Sequence, residues 1–276
     1  MKKGIALIIT VGFITILGAI IAYVFSFTQG VFNEALKADA KNQRTILHSD
    51  IKNMLDTYAK MVETNEDLTN FLLGIPPVYD EKSGLSLYVE LEYLSNKINI
   101  NSLAVNENIV KFLKNIAQSY NILDISFFIA LLKDTIDEDD IEKEALSEIS
   151  REDIRFSNSR IVNKRHFKKI LEYYVDVTKD ESVLKVPWER LIYFGKTQQT
   201  VVDCDRMGKE LISVLGFDEE SFSGCANLED QQYQEIAEKY NLKSFSKQNE
   251  LYLNVKIFYE IEDLKDEIDF VYKIVF

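Results

Sequence analysis

At 276 residues, 46% apolar and 28% charged, the chain is long enough to bury one or two cores and too apolar to be disordered. A net charge of −13 repels the phosphate backbone, so nucleic acid is not an expected partner, and neither are anionic lipid headgroups. There is no Gly-x-Ser-x-Gly, Walker loop or Gly-x-Gly-x-x-Gly, and no enzyme is expected.

The chain opens on Lys2 and Lys3, followed by a charge-free run over 5–28, from Ile5 to Thr28. As a helix this run is about 36 Å long, enough to cross a hydrocarbon core of about 30 Å. A cleaved secretory signal has a shorter apolar core and ends in a small-x-small site; here Ala19 and Ala22 lie inside the apolar stretch and Ser26 to Gly30 fits such a site poorly. The expectation is a retained single-pass helix in membrane lipid. The basic pair places the N-terminus in the cytoplasm and the body on the far side.

Beyond the anchor, Leu47, Ile51, Met54, Leu55, Tyr58 and Val62 recur with helical spacing, which predicts a stalk helix over 29–75 that runs to about Leu73. Gly74, Pro76 and Pro77 should stop it. Leu85, Leu87, Val89, Leu91 and Tyr93 then alternate with more polar residues, the period of a half-buried strand. The same period returns at Leu251 to Ile261 and at Ile268 to Phe276, with an acidic turn at Asp263 to Asp266 between them. These segments predict one antiparallel sheet, built from 76–102 and 247–276 and packed on the stalk. Between them, 103–246 reads almost wholly helical, at Asn108–Tyr120, Ile125–Ile136, Asp140–Ile149, Lys164–Val177, Asp205–Leu215 and Glu229–Tyr240. The fold class is α+β, with a large helical domain inserted between the strands of a small antiparallel sheet.

Cys204 and Cys225 are an even pair on the side of the membrane where disulfides persist, and a bond would close a loop of about 22 residues, worth roughly 3 kcal/mol. Separate burial of two small residues is the competing reading. His48 and His166 are far from both in sequence, which disfavours a zinc site, and Asp203 and Asp205 disfavour a thiolate at Cys204. Asp137, Asp139 and Asp140, with Glu138, form the densest carboxylate cluster, suited to Ca²⁺. Glu148 falls where a calcium loop starting at Asp137 would place its last ligand, but Ile141 and Glu142 occupy positions that want an oxygen ligand and a glycine. A solvated helix start is the alternative. His166, in the basic run Lys164 to Lys169, reads as part of a solvated face, and Trp188 as a core anchor.

Four stretches, in order along the chain, carry a family resemblance: Gly4 followed by Ile5-Ala6-Leu7-Ile8; Lys97-Ile98-Asn99-Ile100-Asn101; Leu131 to Asp140; and Phe156-Ser157-Asn158 with Phe167 to Leu171. Together with the layout, they resemble the K-type minor pseudopilins of type II secretion systems (general secretion pathway protein K), over the whole chain. Thr135 stands where that family has tryptophan. The resemblance implies a pilin-like fold and a leader, 1–4, that prepilin peptidase removes by cutting between Gly4 and Ile5, leaving Ile5 N-methylated. It also implies calcium in the inserted domain. Most pilins carry a glutamate where this chain has Ile9, and a subunit with no neighbour beyond it can dispense with that carboxylate. The resemblance thus implies a subunit at the tip of a periplasmic pseudopilus. Such a subunit is embedded in the bacterial inner membrane and works with other minor pseudopilins and the inner-membrane assembly platform in protein export. The alternatives are a minor pilin of a type IV pilus or DNA-uptake filament and, from another class, a membrane-anchored periplasmic binding or sensor protein.

Overall fold

A computed structural model describes residues 45–276 apart from 74, 81–84, 197–200, 249, 262–263 and 276. The expected leader and span, and residues 29–44 of the expected stalk, lie outside the described residues. The chain divides into two compact units, residues 1–58 and 59–276. Among the described residues no helix is long and apolar enough to cross a membrane.

The stalk is not one unbroken helix to Leu73. Helix α1 covers 45–59, with Ile51, Leu55 and Ala59 buried along one face. A turn follows, and α2 (Asn65–Leu72) starts afresh behind Thr64. The reason is a capping box: Thr64 Oγ1 accepts from the amide of Asp67 at 3.1 Å, and Asp67 Oδ2 accepts from the amide of Thr64 at 2.9 Å. Pro76 and Pro77 do not merely end a helix; they sit in an edge strand, β1 (Ile75–Asp80), at an irregularity in its pairing with β2 (Leu85–Tyr93). An edge or a bulge is where a sheet tolerates a residue that donates no hydrogen bond.

The main sheet has the order β1-β2-β7-β8, with β7 at Glu250–Ile261 and β8 at Leu264–Val275, every neighbour antiparallel. Leu85 lies opposite Ile261 and Tyr93 opposite Leu253. The alternating apolar residues Leu87, Val89, Leu91, Leu253, Val255, Ile257, Ile268 and Tyr272 are all buried. The hairpin is tighter than the acidic run suggests, since Ile261 already faces Leu264. Asp266 belongs to β8, and the Tyr259 hydroxyl donates to its carboxylate at 3.0 Å.

The insertion leaves the sheet after Tyr93 and returns at Glu250. Leu94 donates to the Tyr252 carbonyl at 2.9 Å and Tyr252 donates to Ser95 Oγ at 2.8 Å, so both ends leave from one place. It is mostly helical: α3 (Asn108–Tyr120), α4 (Ile125–Ile136), α5 (Ile149–Glu152), α6 (Lys164–Thr178), α7 (Trp188–Leu191), α8 (Lys209–Leu215) and α9 (Gln231–Tyr240). It is not purely helical. β3 (Ile98–Asn99) pairs in parallel with β4 (Ile192–Tyr193), and β5 (Val202–Asp203) with β6 (Leu242–Lys243). Asn99 and Asn101 act as clamps there: Asn101 Nδ2 donates to the carbonyls of Ile161 and Gly195 at 2.9 and 2.7 Å, and Asn99 Oδ1 accepts from the Gly195 amide at 3.0 Å.

Helix α4 is the hub of the insertion and is buried on nearly every side. Phe128 packs between Tyr174, edge to face, and Trp188, tilted, with ring centroids 5.5 and 5.6 Å away. Its apolar run needs no polar face, because helices surround it. One charged residue on it, Asp134, is nevertheless fully buried near its C-terminal end.

Candidate metal centre

Asp134 occupies the stripe formed by Phe127 and Leu131, one helical repeat further on, so α4 carries its carboxylate into the interior. Its Oδ2 accepts from the backbone amide of Lys143 at 3.1 Å and from the Ser147 hydroxyl. These bonds explain why residues 140–149 do not form the expected helix. The segment wraps around a buried carboxylate instead, with Leu146 at φ 68°, and tertiary hydrogen bonds override its helical propensity.

Two further acids converge on Asp134. Asp137 caps α4 at its C-terminus, and its carbonyl accepts from the Ser159 amide at 2.8 Å. Glu148 caps α5: its Oε1 accepts from the Ser150 amide at 3.3 Å, the Ser150 hydroxyl at 2.6 Å and Asn158 Nδ2 at 2.7 Å. Asp134, Asp137 and Glu148 each offer a carboxylate oxygen within 4.8 Å of the others. Asp134 is 0% and Glu148 1% exposed.

The remaining oxygens of the cluster decide its chemistry. Asp134 Oδ1, Asp137 Oδ1, Glu148 Oε2 and Asn158 Oδ1 are buried and accept no hydrogen bond. An acceptor buried without a donor costs about 1–3 kcal/mol, more when charged. The cation at hand is the Lys143 ammonium. It is hydrogen-bonded to Asp137 Oδ2 and stands 3.1 Å from Asp134 Oδ1, an ion-pair contact without hydrogen-bond alignment. Burial pushes the Asp137 carboxyl above its ordinary range; the bonded Lys143 opposes this, and Asp139 and Asp134 add to it. Three carboxylates against one ammonium leave a negative, oxygen-only pocket. Hard oxygen donors with no imidazole or thiolate suit Ca²⁺ rather than zinc.

Of the acids that the sequence singled out, Asp137 joins this cluster, and so does Glu148, which falls at the last position of a calcium loop starting at Asp137. Asp139 and Asp140 are exposed: Asp139 Oδ1 accepts from the Ile141 amide at 2.8 Å, and the Asp140 carbonyl accepts from Arg151 at 2.5 Å. Asp134, which sequence spacing did not mark, stands in the cluster instead, and Asn158 adjoins it by donating to Glu148 Oε1 at 2.7 Å. Their stretches, Leu131 to Asp140 and Phe156 to Asn158, come from different parts of the chain and meet here.

The other singled-out residues lie elsewhere. Cys204 and Cys225 are joined in a disulfide, Cα to Cα 5.1 Å. Nearby Asp203 and Asp205 are fully engaged: Asp203 Oδ2 accepts from the Tyr93 hydroxyl at 2.8 Å, Asp205 Oδ1 from the Cys225 amide at 2.9 Å, and Asp205 Oδ2 from Ser244 at 2.7 Å. That corner ties the sheet to the insertion. Trp188 is buried, its indole donating to the Val183 carbonyl at 2.8 Å. His166 is half-buried at the edge of an otherwise exposed basic run: its ring lies 4.5 Å from Phe156, and burial lowers its pKa, with Lys169 adding. Gly4, Ile5 and Ile9 lie outside the described residues.

No protein-family model and no curated protein matches the chain. Among solved structures, one chain of the GspK–GspI–GspJ complex from the type 2 secretion system of enterotoxigenic Escherichia coli is similar, at a TM-score of 0.54 and 13% identity. The match covers 85% of this chain and 92% of that one. At that identity the likeness shows a shared fold, and the fold of this chain is pseudopilin-like.

Proposed function

We propose that this chain is a minor pseudopilin of a type II secretion system, an assembly subunit with no catalysis of its own. The observation that carries the reading is the topology. A helical domain of the insertion's size interrupts a small antiparallel sheet between neighbouring strands, and the same fold occurs in a subunit of a minor pseudopilin complex. The helix over 5–28 holds the subunit in the inner membrane until prepilin peptidase cuts after Gly4 and Ile5 is methylated. The assembly platform then moves it into the filament. Ile9, lacking the carboxylate that would pair with a further subunit's N-terminus, and the bulk of the insertion both suit the tip, where the chain meets other minor pseudopilins. The insertion holds one Ca²⁺ through Asp134, Asp137, Glu148 and Asn158, and the ion neutralises the buried acids and pins α4 to the loops that follow it.

The test is the N-terminal peptide of native protein purified from cells with and without the prepilin peptidase. Loss of Met1 to Gly4 and a methyl on Ile5, only with the peptidase, is the expected result. Met1 retained in both strains would overturn the pseudopilin reading and leave an anchored binding protein.

A further inference from the structure

We propose that Lys143 is a tethered competitor for the metal: its ammonium sits against Asp134 and Asp137, two of the three acids that would hold the divalent cation, and the cation binds by displacing it. This rests on the calcium reading of the Asp134 cluster above.

The contacts of Lys143 divide it into an anchor and a moving part. Its backbone amide is fixed to Asp134 Oδ2 at 3.1 Å, an oxygen also held by Ser147. Its side chain reaches around the same carboxylate, to 3.1 Å from Asp134 Oδ1, and bonds Asp137 Oδ2. The ammonium therefore lies on two of the acids whose open oxygens form the pocket. Glu148, the third acid, receives no cation, and its Oε2 stays unpartnered while Ser150 and Asn158 fix Oε1.

The side chain of Lys143 is 40% exposed, whereas that of Asp134 is 0% exposed. Its flexible stem can swing into water without disturbing the buried acids, and an ammonium recovers strong hydration there. A divalent cation gathers all three carboxylates, which a single ammonium at one side does not. The exchange leaves the backbone bond in place. Loop 138–147 is held in both states, and only the lysine side chain changes position.

A competitor built into the chain sets a concentration threshold. Free cation must outbid an ammonium whose supply never falls, so affinity is lower than the ligand set alone would give, and the metal-free fold avoids an uncompensated cluster of buried charge. Arg151 is the internal control. It lies in α5, near Glu142 at 3.4 Å and on the Asp140 carbonyl, but bonds none of the three acids of the cluster.

The test uses the full chain in detergent, stripped with chelator and titrated calorimetrically with Ca²⁺. Lys143→Met should bind about tenfold more tightly than the parent, the scale of one lost charge-assisted contact, while Arg151→Met should shift affinity by less than about threefold. The second readout is amine labelling of the Lys143 peptide by mass spectrometry, which should rise when Ca²⁺ saturates the parent chain. Calcium binding by the Lys143→Met chain alone would also support the competitor. Binding by the parent with no gain in Lys143→Met, or with Lys143 labelling unchanged, would overturn the role of Lys143 and leave the metal site standing. No binding by either chain would overturn both.

Discussion

The two ends of α4 solve the same problem in opposite ways. At the N-terminal end, the buried carboxylate of Asp180 is closed: Oδ1 accepts from the Ser182 amide at 2.9 Å, and Oδ2 from the Leu123 amide at 2.8 Å and the Tyr174 hydroxyl at 3.0 Å. Burial pushes its pKa up, but these donors prevail and hold it at about 2. At the C-terminal end, Asp134, Asp137 and Glu148 accept hydrogen bonds through one oxygen each and the other accepts none, although the Lys143 ammonium stands 3.1 Å from Asp134 Oδ1. Both Asp180 and Glu148 cap short helices, yet only the first spends its whole capacity on the fold. A carboxylate oriented by its neighbours and left half unsatisfied is what the calcium reading proposed above requires.

The largest perturbation should break both ends together. Phe128→Ala, in the middle of α4, removes the ring between Tyr174 and Trp188 and should cost about 4 kcal/mol in urea unfolding. Asp180→Asn attacks the closed end alone. Since the folded pKa lies below the ordinary carboxylate value of 3.8, the stabilisation is present above about pH 4 and fades as pH falls toward 2. Asp180→Asn should therefore cost about 2 kcal/mol at pH 7, and the gap to the parent should close near pH 2. The smallest effect belongs to the open end. With chelator present, Glu148→Gln should change stability by less than about 1 kcal/mol, because it removes one of several crowded charges. With Ca²⁺ at about a hundredfold excess over its dissociation constant, the parent should gain about 2.7 kcal/mol that Glu148→Gln does not. A Glu148→Gln cost in chelator as large as that of Asp180→Asn would mean that the two ends do not differ in kind.

The elements that the sequence discloses best are those whose reason is local. Alternation fixes β2 at Leu85–Tyr93, and apolar spacing fixes α3 and α4 to the residue, because each buries a face that its own pattern defines. The capping box of Thr64 and Asp67 was equally local, a polar signal inside an apolar rhythm, and it breaks the stalk where hydrophobic spacing alone ran on. Other features depended on distant partners. Residues 140–148 have the composition of a helix and become a loop because Asp134 takes their donors. Neighbouring acids at 137–140 suggested one site, but Asp139 and Asp140 point to solvent, and the acids that converge come from a helix, its cap and a later turn. The signal for Asp134 was one acid on the buried stripe of an apolar helix. Asn158 lies in a stretch without periodicity, and its one signal was the family resemblance of Phe156-Ser157-Asn158.

Ser95 and Tyr252, the two gateposts of the insertion, are 157 positions apart along the chain. A ribosome adding about 5–20 residues per second needs roughly 8–30 s to travel between them. For that time the apolar β2 waits for β7, its neighbour in the finished sheet, with only the proline-interrupted β1 beside it. A strand left that long with an open edge invites the wrong partner. A helical domain that condenses early from local contacts and brings its two ends together shortens the wait for the last step, the zipping of β7 onto β2.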